Sequence, residues 1–165
     1  MSSTSALIAV GVGVLHAGLA PVIEIAGVRP NIVLVAVVLV TILWGFETGI
    51  GWAFVAGLTA NLLLHDPLGA IPLALLLAAG LAAAGARPFG RLTWFYPVVA
   101  VFAASLLADG VSLIVLRLIE ASPAVGVPLQ LVIPAAVLNA AIAGLLLYPA
   151  RRLALRLGVE EKAAW

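Results

Sequence analysis

Long apolar runs fill the chain, broken at short intervals by proline, glycine and charged residues. No polar segment is long enough to make a water-facing surface. A bilayer crossing takes about 20 apolar residues, within a range of about 17–25. Six runs qualify when the breaks are taken as boundaries: Ser5–Ala26, Asn31–Phe46, Thr48–Leu64, Ala70–Ala86, Trp94–Ile119 and Pro128–Pro149. The second, third and fourth are short for a crossing, which implies steep packing or a locally thin bilayer. Pro30, Pro72, Pro97 and Pro128 fall in or beside a first helical turn, where a missing N–H costs nothing. Pro21 and Pro134 lie inside apolar runs and predict kinks in the first and sixth helices. The connectors Gly27–Pro30, Phe46–Glu47 and His65–Gly69 are too short to hold a further domain. The prediction is one all-α domain over residues 1–165, a six-transmembrane-helix bundle.

Basic residues orient the bundle, because positive charge collects on the cytoplasmic side. With both termini inside, Arg87, Arg91, Arg151, Arg152, Arg156 and Lys162 are cytoplasmic and only Arg29 and Arg117 are outside. The segment before the first helix carries no basic residue, unlike a signal peptide, so that helix is expected to remain. The tail Ala150–Trp165 reads as a basic interfacial helix end, with Leu153 and Leu157 on one face and Arg152 and Arg156 on another.

Lipid supplies little hydrophobic drive between helices, so small residues that admit close approach matter most. They recur every four residues as Ala9, Gly13 and Ala17, as Gly49, Ala53 and Gly57, as Ala100, Ala104 and Ala108, and as Ala136, Ala140 and Gly144. These stripes predict tight helix packing, either within the bundle or against a partner.

Composition narrows the function. The chain has 165 residues, of which 65% are hydrophobic and 9% charged, against about 25% charged in a soluble domain. A soluble enzyme is excluded. The net charge of +1 gives no basic excess for nucleic acid. The absence of cysteine removes disulfides, thiol catalysis and Cys-ligated metals. There is no G-x-S-x-G elbow, H-E-x-x-H, P-loop or G-x-G-x-x-G. An aspartyl intramembrane protease needs two acids sharing a proton, and only Asp109 lies deep. No catalytic residue, metal or cofactor is expected.

Polar side chains at membrane depth are costly and mark sites or packing contacts. Asp109 lies within the fifth helix, with Ser105 and Ser112 about one turn to either side. Asn61 and Asn139, on the third and sixth helices, suit interhelical hydrogen bonds. Glu24, Arg29, Asn31, His65 and Asp66 fall at the outer helix ends, and His16, alone in its helix, suits packing better than metal binding. Depth places Arg29, Asn31, Asn61, Asp66 and Asp109 in the outer half with Asn139 near the middle, so one polar pocket opening outward is expected.

The stretch Val28–Leu81 resembles the rod shape-determining protein MreD family. The likeness rests on Arg29–Pro30–Asn31 at the start of the second helix, on Gly57–Asn61 closing a Gly-rich third helix, and on Leu68–Gly69 before the fourth. It extends more faintly to Asp109, Asn139 and the basic tail from Arg151. Asn61 stands where the family usually has Asp, which puts a charged role there in doubt. The resemblance implies a non-catalytic scaffold of the cell-wall elongation machinery in the bacterial inner membrane. Its implied partner is the bitopic protein MreC, and through it MreB, RodA and the RodA-associated transpeptidase, with membrane lipids around it. The layout is also similar to the S components of energy-coupling-factor transporters, whose coupling surface uses small residues like Ala9, Gly13 and Ala17. A solute-binding transporter subunit, with Asp109, Asn61 and Asn139 lining the site, is therefore the alternative.

Overall fold

The computed structural model describes residues 2–19, 22–25, 27–64, 67–89, 94–119 and 129–156. These form six α-helices: α1 (Ser3–Leu19), α2 (Ile32–Trp44), α3 (Phe46–Leu63), α4 (Ala70–Phe89), α5 (Tyr96–Ile119) and α6 (Leu129–Arg156). Large apolar side chains such as Leu7, Leu77, Ile114, Leu118 and Leu145 point outward and are exposed. A surface this apolar suits lipid rather than water. α5 and α6 are long and apolar enough to cross a bilayer, over Tyr96–Val115 and Gln130–Arg156.

The architecture centres on α2. Its sequence, IVLVAVVLVTILW, is apolar all round, and such a helix is buried on all sides. Each of the other five helices packs on it. Those five also pack in a row, α1 on α3, α3 on α4, α4 on α5 and α5 on α6. No comparable packing joins α6 back to α1. Thr41, the polar exception in α2, donates from Oγ1 to the Val37 carbonyl at 2.7 Å and so hides its hydroxyl within its own helix.

The 13 residues of α2 make about 20 Å of helix, too short for a hydrocarbon core of about 30 Å. It need not match the bilayer by itself, because nine of its residues are buried among the other helices. Asn31 caps the start, accepting at Oδ1 from the Leu34 N–H at 3.0 Å. At the other end Gly45, at φ 96°, turns the chain within one residue into α3. That backbone conformation favours glycine.

The connection before α2 departs from the predicted first helix. α1 stops at Leu19, and Pro21, the expected kink, lies outside the described residues. The described residues between 22 and 31 are not helical. The N–H groups of Val22 and Ile23 both donate to the Leu19 carbonyl at 2.9 Å, ending α1. Ile25 and Val28 then exchange backbone hydrogen bonds of 2.9 and 3.0 Å around Gly27 at φ 80°. Ile25 and Val28 face α6 across an apolar cavity. Strand alternation puts Glu24 and Arg29 on the other face of this hairpin, where they pair at 3.5 Å and stay exposed.

At the C-terminal side α6 passes Pro134 and Pro149 and ends only at Arg156, so the first part of the predicted tail continues the helix. Arg152 lies 4.9 Å over the ring of Tyr148. The tail beyond Arg156, with Leu157 and Lys162, lies outside the described residues.

Candidate functional site

The polar residues divide into separate groups. The first joins three helices at the start of α2. The Asn31 N–H donates to Asn139 Oδ1 at 2.8 Å, and Asn139 Nδ2 donates to Ser105 Oγ at 3.0 Å. Asn139 and Ser105 are buried, and Asn31 is half-buried. Asn139 stands ten residues into α6 from Leu129, about 15 Å along it. α2 therefore begins part-way along α6, with Asn31 half-buried. Among helix-starting N–H groups, which lack intrahelical partners, Asn31 and Leu34 are served by the two asparagine side chains.

Asn61 works elsewhere. Its Oδ1 accepts from the Gly69 N–H at 2.7 Å and its Nδ2 donates to the Pro67 carbonyl at 3.2 Å, so it clasps the α3–α4 connection. Gly69, at φ 91°, gives that connection its turn. Arg29 pairs with Glu24 on the hairpin, away from both groups. His65 and Asp66 lie outside the described residues. The described members of the expected pocket thus make their bonds in different places: Asn31 and Asn139 are brought together, while Asn61 and Arg29 bond with their own loops.

Asp109 sits one turn beyond Ser105 on α5, and its Oδ2 is buried with no hydrogen-bond partner among the described residues. His16 is buried on α1. Among the described residues no three His, Cys, Asp or Glu side chains stand together to hold a metal. A cavity of about 440 Å³ opens between the hairpin and α6, lined by Ile25, Val28, Ile133, Pro134, Val137, Leu138 and Ala141. Its lining is apolar and includes none of Asp109, Asn61 or Asn139.

The small-residue faces are taken up inside the chain. A Cβ on Gly13 would lie 2.7 Å from the Ala56 carbonyl oxygen, so α1 and α3 touch through backbone there. A Cβ on Gly49 would run into Thr41 of α2, and one on Gly57 would lie 2.9 Å from Leu75 and 3.0 Å from Pro72 of α4. Ala9 and Ala53 are fully buried beside them, and Ala17 is half-buried. The structure adds contacts that spacing alone did not reveal. Trp52 Nε1 donates to Ser5 Oγ at 2.8 Å, tying the starts of α1 and α3, and the Tyr96 hydroxyl donates to the Ala82 carbonyl. Ser105 was visible as a neighbour of Asp109; its bond to Asn139 needed the α5–α6 register.

Compared with known families, the chain matches the model for the rod shape-determining protein MreD over residues 3–156. The chain belongs to the MreD family. The match begins and ends with the helices themselves, at Ser3 and Arg156. No curated protein and no solved structure matches the chain. Membership makes this a membrane protein of the shape-determining system that includes MreC, and the family is a structural one rather than a known enzyme family.

Proposed function

We propose that the chain is a non-catalytic scaffold of the bacterial cell-wall elongation complex, a single six-span domain of the inner membrane with both termini in the cytoplasm. The observation that carries this reading is a family match extending over all six helices. Arg151, Arg152 and Arg156 at the end of α6 support the orientation. Exposed Trp94 and Phe95 at the start of α5 give the same side an aromatic belt.

The internal polar groups support a scaffold as well. Asn31, Asn61, Ser105 and Asn139 are engaged in holding helix ends and loops. The cavity is lined by apolar side chains alone, unlike a site with convergent polar groups for a small solute. The partner is an MreC-like single-pass protein, linked through it to MreB, RodA and its transpeptidase. The test is crosslinking in the native cells followed by purification of the tagged chain in mild detergent and mass spectrometry. Recovery of the MreC-like protein with wall synthases is the expected result; recovery of a transporter ATPase module without them overturns the reading.

A further inference from the structure

The exposed side of α6 changes character in steps toward its end. Leu145, Tyr148, Arg152 and Arg156 recur at spacings of three, four and four residues, so they share one face of the helix. All four are exposed. Along that face an aliphatic side chain gives way to an aromatic one and then to two cations. Leu129–Tyr148 makes about 28 Å of helix, close to a hydrocarbon core of about 30 Å. Arg152 lies about 6 Å further on, within a polar layer of about 5–8 Å on each side of the core.

Two contacts set the register of α5 against α6. Asn139 bonds Ser105, and a Cβ on Gly144 would lie 3.8 Å from Val98, so the two helices run antiparallel. Tyr148, one turn beyond Gly144, therefore comes level with Trp94 and Phe95, one turn before Val98. These three aromatic side chains are exposed, and Trp and Tyr collect where hydrocarbon meets headgroups. The guanidinium of Arg152 is held 4.9 Å over the Tyr148 ring at that level. Stacking occupies the face of a guanidinium and leaves the N–H groups along its edge, which match the oxygens of a phosphate. Among the described residues no carboxylate pairs with Arg152 or Arg156, since the ion pair found there is Arg29–Glu24.

We infer that an anionic phospholipid binds at this end of α5 and α6, its phosphate on the edge of Arg152 and its acyl chains running past Tyr148 and Leu145. Arg156 adds a second positive charge one turn further out. A zwitterionic headgroup carries its own ammonium beside the phosphate and would bring it against these unpaired cations, whereas an anionic headgroup brings none. The apolar side chains exposed on the hydrocarbon side of the aromatic level, Leu145 on α6 and Val99 on α5, suit a lipid rather than a free phosphate. Only the membrane setting of α5 and α6 is needed for this site, whichever protein the chain takes as its partner.

The test uses the full chain, purified in neutral detergent and mixed with palmitoyl-oleoyl phosphatidylglycerol or the matching phosphatidylcholine at equal concentration. Native mass spectrometry then reads the bound lipid. Preference for phosphatidylglycerol is expected, and Arg152→Gln should lower its binding about fivefold, the worth of one arginine beside an anionic surface. Tyr148→Leu keeps every charge yet should also lower it, because the guanidinium loses its platform; Tyr148→Phe keeps the ring and should keep the binding. Arg29→Gln removes a cation from the hairpin and should change nothing. Arg152, Tyr148 and Arg29 are exposed, so all four variants should keep the parent melting temperature. Equal binding of the two lipids, or full binding by Arg152→Gln, overturns the site. Full binding by Tyr148→Leu, or an equal loss in Arg29→Gln, shows diffuse charge and overturns it too. So does displacement of the lipid by equimolar inorganic phosphate, since the acyl chains would then contribute nothing.

Discussion

Asn139 does two things that no apolar residue of its size can do. It accepts from the N–H that begins α2 and donates to Ser105 on α5. Asn139→Leu leaves a backbone N–H and a hydroxyl without partners inside the bundle, at about 1–3 kcal/mol for an orphaned group. A melting temperature well below the parent is expected when the purified protein is heated in detergent. Asp109 predicts the opposite sign. Its buried Oδ2 has no partner among the described residues, so Asp109→Leu removes a desolvated polar atom and is expected to raise stability by about 1 kcal/mol. A fall in melting temperature would show that the acid is bonded within the fold. At this scale the sequence identified which residues mattered better than what each one does. Asn61 and Asn139 stood out as buried amides, but Asn61 holds the loop it precedes and Asn139 holds another helix. Depth along a helix says nothing about the direction a side chain takes around it.

Helix faces tell more than helix ends. The stripes through Gly13, Gly49 and Gly57 are closed contacts because a Cβ at each would meet α3, α2 and α4 respectively within 3 Å. Gly57→Leu is therefore expected to disturb the α3–α4 contact itself, costing about 1–3 kcal/mol of overpacking and lowering the yield of folded protein in gel filtration. It should not act as a clean partner mutant. Six apolar runs gave six helices, since each run is bounded by proline, glycine or charge. The end of the first helix moved from Ala26 back to Leu19, because an apolar segment reads alike whether it lines a helix or the inner face of a hairpin. The sixth moved outward to Arg156, since a proline in a lipid-exposed helix loses only one backbone bond and basic residues are welcome in the last turn.

For the molecule as a whole, the central position of α2 sets a gradient of protection. Its amides are covered by five helices, so hydrogen exchange in detergent or nanodiscs is expected to be slowest in α2 and fastest in the 22–31 connection and the end of α6. Exchange in α2 as fast as in α1 would mean that the row of helices opens as a unit. Low charge and near-unbroken hydrophobicity made the membrane setting legible from composition alone. The central place of α2 was less visible, since its shortness looked like a mismatch with the bilayer. A helix enclosed by protein does not have to match it.

That enclosure also imposes an order on biosynthesis. α2 leaves the ribosome second, yet the residue that accepts from its first N–H belongs to the last helix. Until α6 has been made, the nascent chain holds a 13-residue helix whose Asn31 N–H lacks its acceptor. A chain stopped before Asn139 is therefore expected to be cleared faster in cells than the finished one, because only the finished chain supplies that acceptor.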